Sequence, residues 1–299
     1  MKVTVSTDNM KFFECLSSET RIRILELLAD GPKNIGELAK LLNISSAITT
    51  RHINMLERAG FITTQNIPGK RGLQKLSSLS SGEIVLSFQM ESAESRYDRV
   101  SIPIGQFTAH DVTPTCGLAS TARLIGICDD PRYFSNPEKV NAALLWFQTG
   151  WVEYRIPSYI VSSRTVQAME IVMEICSEYP SYNENWPSDI HFYINGVLLG
   201  MWTSPGDFGA SKGIYTPAWW RSGTQYGLLK TLRITHTGSF MDGIELSKIS
   251  LEHIPMEYGK DLSLRIEVPA NARNPGGINI FGKGFGNYDQ DIEVRVEYD

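Results

Sequence analysis

Ser45, Ser46, Thr49, Thr50, Arg51 and His52 stand together at the start of one stretch, SSAITTRHINMLERAGFI, which opens polar and closes on Ala-Gly. Short hydroxyls and a guanidinium on the first turns of a helix suit the phosphate oxygens and base edges of a duplex major groove. Ser46, Thr49, Thr50 and Arg51 are the expected reading positions. Ser45 is the expected N-cap and a candidate contact, and His52 either orients the helix from a partly buried position or touches DNA. Lys70 and Arg71 sit between Gly69 and Gly72, where a hairpin tip meets a neighbouring minor groove or phosphate.

A second set of residues has different chemistry. Trp202, Asp207, Phe208, Tyr215, Trp219, Trp220 and Arg221 fall within one long connection, and Phe285, Asn287 and Asp289 follow among glycines near the end. Sugars offer CH-rich faces that stack on aromatic rings and hydroxyls that pair with carboxylate, amide or guanidinium groups. These ten residues are therefore the candidate binding site for a small molecule, with a carbohydrate as the favoured class.

Catalytic and metal patterns are missing from the sequence. The five histidines form no HxH or HExxH arrangement, and no GxSxG is present. No spacing singles out a carboxylate pair for glycoside hydrolysis. Glu170, Glu174 and Glu178 recur every four residues and read as a solvent-facing row. The glycines from Gly276 to Gly286 lack the following helix and Lys-Ser step of a phosphate cradle. The expectation is a protein that is not an enzyme and takes neither cofactor nor metal.

The elements that position the first set follow from period. Ile22, Leu25 and Leu28 have helical spacing and Gly31-Pro32 stops that helix; Ile35, Leu38, Ala39 and Leu42 mark a second, ending at Asn43. The third helix begins after Ser45, with Ile48, His52 or Ile53, Leu56 and Ala59 inward and Gly60 as its stop. Strand-like Phe61 to Thr64 and Leu73 to Leu76 then flank the glycine-rich basic tip.

LSSETRIRILELL, IGELAKLLNIS, TTRHINMLERAGFI and the basic wing resemble the winged-helix domain of ArsR-family transcriptional regulators over about 80 residues. The resemblance implies a homodimer on a pseudo-palindromic double-stranded operator, usually a repressor released by a ligand. Metal-sensing members carry a cysteine-containing box before the reading helix. Here that segment is IGELAKLLN, without Cys, His or Asp, so a thiolate metal sensor is not expected.

From about residue 83 the period becomes twofold. EIVLSFQM, RLIGIC, LLWFQTGWVEYRI, VQAMEIVMEIC, DIHFYINGVLLGMW, LLKTLRITH, LSLRIEV and DIEVRVEY read as strands, and Asn195-Gly196 as a type I′ hairpin. The expected fold class is α+β multidomain: a winged helix-turn-helix over 1–82, then a large all-β, jelly-roll-like sandwich over 83–299 that binds an effector and supports dimerisation.

Charge and composition agree with that division. Residues 1–80 hold 11 Lys and Arg against 7 Asp and Glu, while the remaining residues hold 17 against 26. A basic module on an acidic body fits a chain of which only the module meets a polyanion. Four scattered cysteines, no signal-peptide pattern and no long apolar run lead to the expectation of a cytoplasmic protein without membrane contact. The functional expectation is a DNA-binding regulator whose sandwich senses a small molecule. A sandwich used only for dimerisation, or a sugar-active enzyme carrying a DNA-binding module, stays open.

Overall fold

The structure, a computed structural model, describes residues 2–68, 73–82, 84–87, 96–160 and 165–299. The chain divides into two compact units, residues 1–93 and 94–299. The division falls later than the 82/83 join expected from the change of period. Val85–Ser87 pairs in parallel with Lys2–Thr4 and so stays with the first unit.

The first unit runs β1 (Lys2–Thr4), α1 (Met10–Leu16), α2 (Glu19–Ala29), β2 (Lys33–Asn34), α3 (Ile35–Leu42), α4 (Ser46–Arg58), β3 (Ile62–Pro68), β4 (Leu73–Leu79) and β5 (Val85–Ser87). Its core gathers Phe12, Ile24, Leu28, Leu38, Ile53, Leu56, Phe61 and Ile62, and the rings of Phe12 and Phe61 stack with centroids 4.3 Å apart. Ile22, expected inward, is exposed. It lies two residues from the buried Ile24, about 200° around the helix.

α3 is started by a reciprocal cap: Asn34 Oδ1 accepts the Glu37 N–H, and the Glu37 carboxylate accepts the Asn34 N–H, both at 2.9 Å. The helix ends at Asn43, whose φ of 54° is left-handed, a conformation Asn tolerates better than most side chains. α4 starts after a short turn, and β2, β4 and β3 form a small sheet in that order.

The second unit is built of strands, with helical structure among its described residues limited to short 3-10 turns. Its strands are β6 (Arg96–Ile102), β7 (Ala109–Val112), β8 (Cys116–Ala119), β9 (Leu124–Ile125), β10 (Leu144–Phe147), β11 (Gly150–Ile156), β12 (Val166–Cys176), β13 (Ser188–Ile194), β14 (Val197–Ser204), β15 (Leu228–Thr235), β16 (Ser239–Met241), β17 (Ile244–Ser247), β18 (Leu262–Val268), β19 (Ile278–Phe281) and β20 (Ile292–Tyr298). One sheet is ordered β17-β16-β15-β12-β19-β10-β8-β9, with β20 joining β12 to β6; the other is β14-β13-β18-β11-β7.

Alternate residues of β11, β13, β18 and β20 are buried. Their inward faces meet those of β12 in one core containing Val152, Met169, Ile171, Phe192, Leu264 and Val294. That makes a two-sheet sandwich. Asn195 and Gly196, with φ of 49° and 77°, turn β13 into β14 in the expected type I′ manner.

The single strand expected in LLWFQTGWVEYRI is two, β10 in the larger sheet and β11 in the smaller. β10 and β19 are buried at every position, because a second apolar cluster covers their other face. That cluster joins Ala119, Leu144, Trp146, Cys176, Phe281 and Phe285 to Phe208, Trp219 and Trp220.

Candidate functional site

Two regions carry the candidate residues, one in each unit. In the first, Ser45 caps α4: its Oγ accepts the Ile48 N–H at 3.3 Å. The buried stripe of the helix is Thr49, Ile53 and Leu56. Thr49, expected to face DNA, is fully buried, and its hydroxyl donates to the Ser45 carbonyl at 3.1 Å. Ile48, expected inward, is 49% exposed. The inward stripe keeps the expected Ile53 and Leu56 but begins at Thr49 instead of Ile48, since threonine's methyl group lets it occupy a core position.

Ser46 and Arg51 are exposed and Thr50 is partly so. The Thr50 hydroxyl donates back to Ser46 O at 2.7 Å, whereas Arg51 has no ion pair or side-chain hydrogen bond among the described residues. His52 is half-buried; burial first, then the charges of Arg21 and Arg51, holds its pKa below the ordinary 6.5, so the ring is neutral near pH 7. Its Nδ1 is buried without a partner among the described residues.

Behind the reading face, Lys75 of β4 reaches the Glu57 carboxylate at 2.7 Å and Asn54 Oδ1 at 3.2 Å. Thr64 of β3 also donates to Glu57. These side-chain bonds, the one from Lys75 foremost, hold the Glu57 pKa below its usual range and tie α4 to both wing strands. Lys70 and Arg71 lie outside the described residues.

In the second unit the candidates partly converge. The Ile214 N–H donates to Asn287 Oδ1 at 3.0 Å and the Tyr215 N–H to Gly286 O at 2.9 Å, bringing the two long connections together. Trp220 makes edge contacts with Trp146, Trp219 and Phe285, at centroid separations of 5.7, 5.5 and 5.5 Å. Trp219 and Trp220 lie outside any strand, at a turn of the long connection. Their indole N–H groups donate to the carbonyls of Thr121 and Thr224, at 2.8 and 2.9 Å.

Several expected ligand contacts are engaged by the protein itself instead. Phe285 is fully buried, and Phe208 stacks on Tyr226. Asp289 accepts the Gly284 N–H at 3.1 Å, and Asn287 is engaged as above. Trp202 sits apart, on β14, packed against the main core with Lys230 over its ring at 4.7 Å. Asp207 has no exposed surface; one oxygen accepts the Tyr179 N–H and the Thr224 hydroxyl, both at 2.9 Å. These residues hold the long connections in place.

What remains open is a cleft of about 480 Å³. Trp220, Arg221, Gln225, Lys212, Tyr182 and Ser181 are among its walls. Arg221 and Lys212 are exposed and have no ion pair or hydrogen bond among the described residues. Tyr215 is 44% exposed outside the cleft lining. The sequence reading missed Tyr182, Lys212 and Gln225; an isolated tyrosine, lysine or glutamine in a connection carries no local signal.

It also misplaced the glutamates. Glu170, Glu174 and Glu178 are 8%, 1% and 6% exposed, not a solvated row. Glu170 and Glu174 do point away from the sandwich core, but Glu170 pairs with Arg233 and the long connections cover the other two. The Glu174 carboxylate accepts the N–H groups of Gly227, Asn287 and Tyr288, and burial nevertheless pushes its pKa up to about 7. Glu178 accepts from Asn279 and Thr115; burial, and then the charge of Asp207, pushes it up to about 8. Burial raises Asp207 to about 7. Among the described residues no three His, Cys, Asp or Glu side chains are grouped to hold a metal ion, and no helix is long and apolar enough to cross a membrane.

A helix-turn-helix with a strand wing, its second helix offering an exposed N-terminal half, defines a DNA-binding regulatory domain. Residues 18–64 match the model for "Bacterial regulatory protein, arsR family", so the first unit carries an ArsR-family helix-turn-helix. An uncharacterized HTH-type transcriptional regulator of Methanocaldococcus jannaschii is 42% identical over 55 residues, 18% of this chain and 58% of that protein. The chain thus spans less than two thirds of that relative's length. Reduced HlyU from Vibrio cholerae is a structural neighbour at 26% identity and TM-score 0.22, covering 24% of this chain and 73% of its own. The CBM36-1 domain of a multidomain xylanase from the hindgut metagenome of Trinervitermes trinervoides is another, at 8% identity and TM-score 0.30, covering 67% of this chain and 96% of its own.

Proposed function

We propose that the protein is a transcriptional regulator, a repressor in its simplest form, that binds a double-stranded operator through α4 and the wing as a homodimer. Its second unit senses a small molecule, with a carbohydrate as the favoured class. The sensing role rests on one observation: the cleft of about 480 Å³ walled by Trp220, Arg221, Gln225 and Tyr182. Its volume falls in the range of small-molecule sites. An indole face, a free guanidinium, an amide and a phenol match the CH faces and hydroxyls of a sugar.

Regulation then works through linkage. A ligand that prefers one operator-binding state a hundredfold supplies about 2.7 kcal/mol of coupling. That is enough to clear an operator held by a similar margin. Catalysis is not part of this reading, since the raised carboxylates Glu174, Glu178 and Asp207 lie outside the cleft lining.

The test is a thermal-shift screen of the full chain against pentoses, hexoses, oligosaccharides and sugar phosphates, with DNA titrations repeated for each hit. A sugar that raises the melting temperature and changes DNA affinity supports the sensor. Silence across the panel favours a sandwich that only dimerises, and turnover of a hit would make it an enzyme.

A further inference from the structure

The first turns of α4 are rich in hydroxyls, yet most of them are engaged within the protein. Ser45 Oγ holds the Ile48 N–H, the Thr49 hydroxyl is buried on the Ser45 carbonyl, and the Thr50 hydroxyl is bonded to the Ser46 carbonyl. Opposite the buried stripe of Thr49, Ile53 and Leu56 stand Ala47 and Arg51, both exposed. Ile48 flanks them with 49% of its surface open. The exposed side chains here are therefore Ser46 at the helix start, the apolar Ala47 and Ile48, and Arg51 one turn on.

Exposed apolar side chains are common on protein surfaces and need no reason of their own. Here the location supplies one, because this is the part of a reading helix that enters the major groove. The major-groove edges of the four base pairs offer hydrogen-bonding groups and a single apolar feature, the C5-methyl of thymine. We propose that Ile48, with Ala47 beside it, reads thymine through that methyl group, next to the base contacted by Arg51. The proposal rests on the reading of the first unit as a duplex-DNA reader and adds the base class it selects.

The experiment begins with the full-length chain and a random-core duplex library, from which a bound sequence is selected. Each thymine of that sequence is then replaced singly by uracil, which removes only the methyl group. At one or two positions per half-site affinity falls about fourfold, the worth of one buried methyl at about 0.8 kcal/mol. In Ile48→Ala that penalty disappears, while in Ile48→Val it persists. The thermal midpoint of Ile48→Ala stays with that of the parent chain, because the side chain is exposed. A uracil series that binds uniformly, or a penalty that survives in Ile48→Ala, overturns the inference and leaves DNA reading intact. A library from which no sequence is enriched overturns the DNA reading and the inference with it.

Discussion

Glu174 Oε1 accepts the backbone N–H of Gly227 at 2.8 Å, and the same carboxylate accepts those of Asn287 and Tyr288. One side chain on β12 therefore holds both long connections, the first of which supplies most of the cleft's walls. Gly286 belongs to this arrangement: at φ 77° it is left-handed, and a Cβ there would collide with the Glu174 carboxylate. Glu174→Ala removes the acceptor of the buried Gly227 N–H and of two partly buried ones, and the buried donor alone costs about 1 to 3 kcal/mol. The check is amide hydrogen exchange, in which Gly227, Asn287 and Tyr288 lose protection before the strands of the main core do. Unchanged protection would mean that other contacts hold the loops.

The raised pKa values of Glu174, Asp207 and Glu178, about 7, 7 and 8, set a pH dependence. Each folded value lies above the ordinary 4.5, 3.8 or 4.5. Their contribution to stability is therefore fully present below the unfolded values and is lost as pH rises through about 7 to 8. The melting temperature of the second unit is expected to fall as pH goes from about 5 to about 9. Glu178→Gln, neutral at every pH, makes that fall shallower. Calorimetry across the range decides it, and a midpoint that rises toward pH 9 contradicts the assignment.

How far the fold was legible depends on what each pattern recorded. Helix, turn, helix and wing announced themselves because Gly31, Asn43, Ser45 and Gly60 sit where chain reversal needs them, and β18 and β20 because one face of each is buried. Short strands such as β8 and β19 were hidden. β19 is apolar or amide throughout, since loops cover its second face, and a strand buried on both sides does not alternate. Glu174 misled for the same reason: from sequence it sits on an outward face, and only the distant residues 205–227 and 282–291 make that face interior.

The candidate sites were legible as regions more than as residues. The aromatic connection and the glycine-rich segment do meet, yet stacking and hydrogen bonding by Phe208, Asp207, Asn287 and Asp289 serve their meeting. Charge and ring chemistry look the same in a sequence whether a group faces a ligand or a neighbouring loop. Exposure separates them: of the expected set it leaves Tyr215, Arg221 and Asp289 outward, with Trp220 half-buried at the cleft.

Thr49 tests the corrected phase of α4. Thr49→Val keeps the shape and removes one buried hydroxyl that donates to Ser45 O. The expected cost is about 1 kcal/mol of stability with operator affinity unchanged. A tenfold loss of specific DNA binding at unchanged stability would return Thr49 to the reading face.

Arg51 and Lys70 are expected to separate by salt dependence. Arg51→Ala weakens specific binding by about 1 to 3 kcal/mol and relaxes selectivity at one base pair, if the guanidinium contacts a base edge. Lys70→Ala instead lowers affinity for all sequences alike and reduces the salt slope by about one, if the ammonium neutralises a phosphate. Titrations of both variants at several salt concentrations distinguish the roles. Two variants with unaltered binding would remove α4 and the wing tip from the interface.

Arg221 is the sharpest probe of the cleft, because nothing described in the fold depends on it. Arg221→Ala removes an exposed guanidinium without a partner among the described residues, so the melting temperature of the free protein should move by no more than a surface substitution does, within about 0.5 kcal/mol. Its effect belongs to the ligand. A charge-assisted hydrogen bond contributes about 1.5 to 3 kcal/mol, so sugar affinity should fall about 10- to 150-fold, and the thermal shift at a fixed sugar concentration should fall with the logarithm of that loss. Trp220→Ala gives the harsher version, losing the stacking face together with its contacts to Trp146 and Phe285, and must be read against its own lowered baseline. Trp202→Ala is the control, since its ring packs against the main core outside the cleft lining: it costs stability and leaves the ligand-induced shift in place. If instead Trp202→Ala abolishes ligand response while Arg221→Ala preserves it, the sensing surface lies on β14 and not in the cleft beside Trp220 and Arg221.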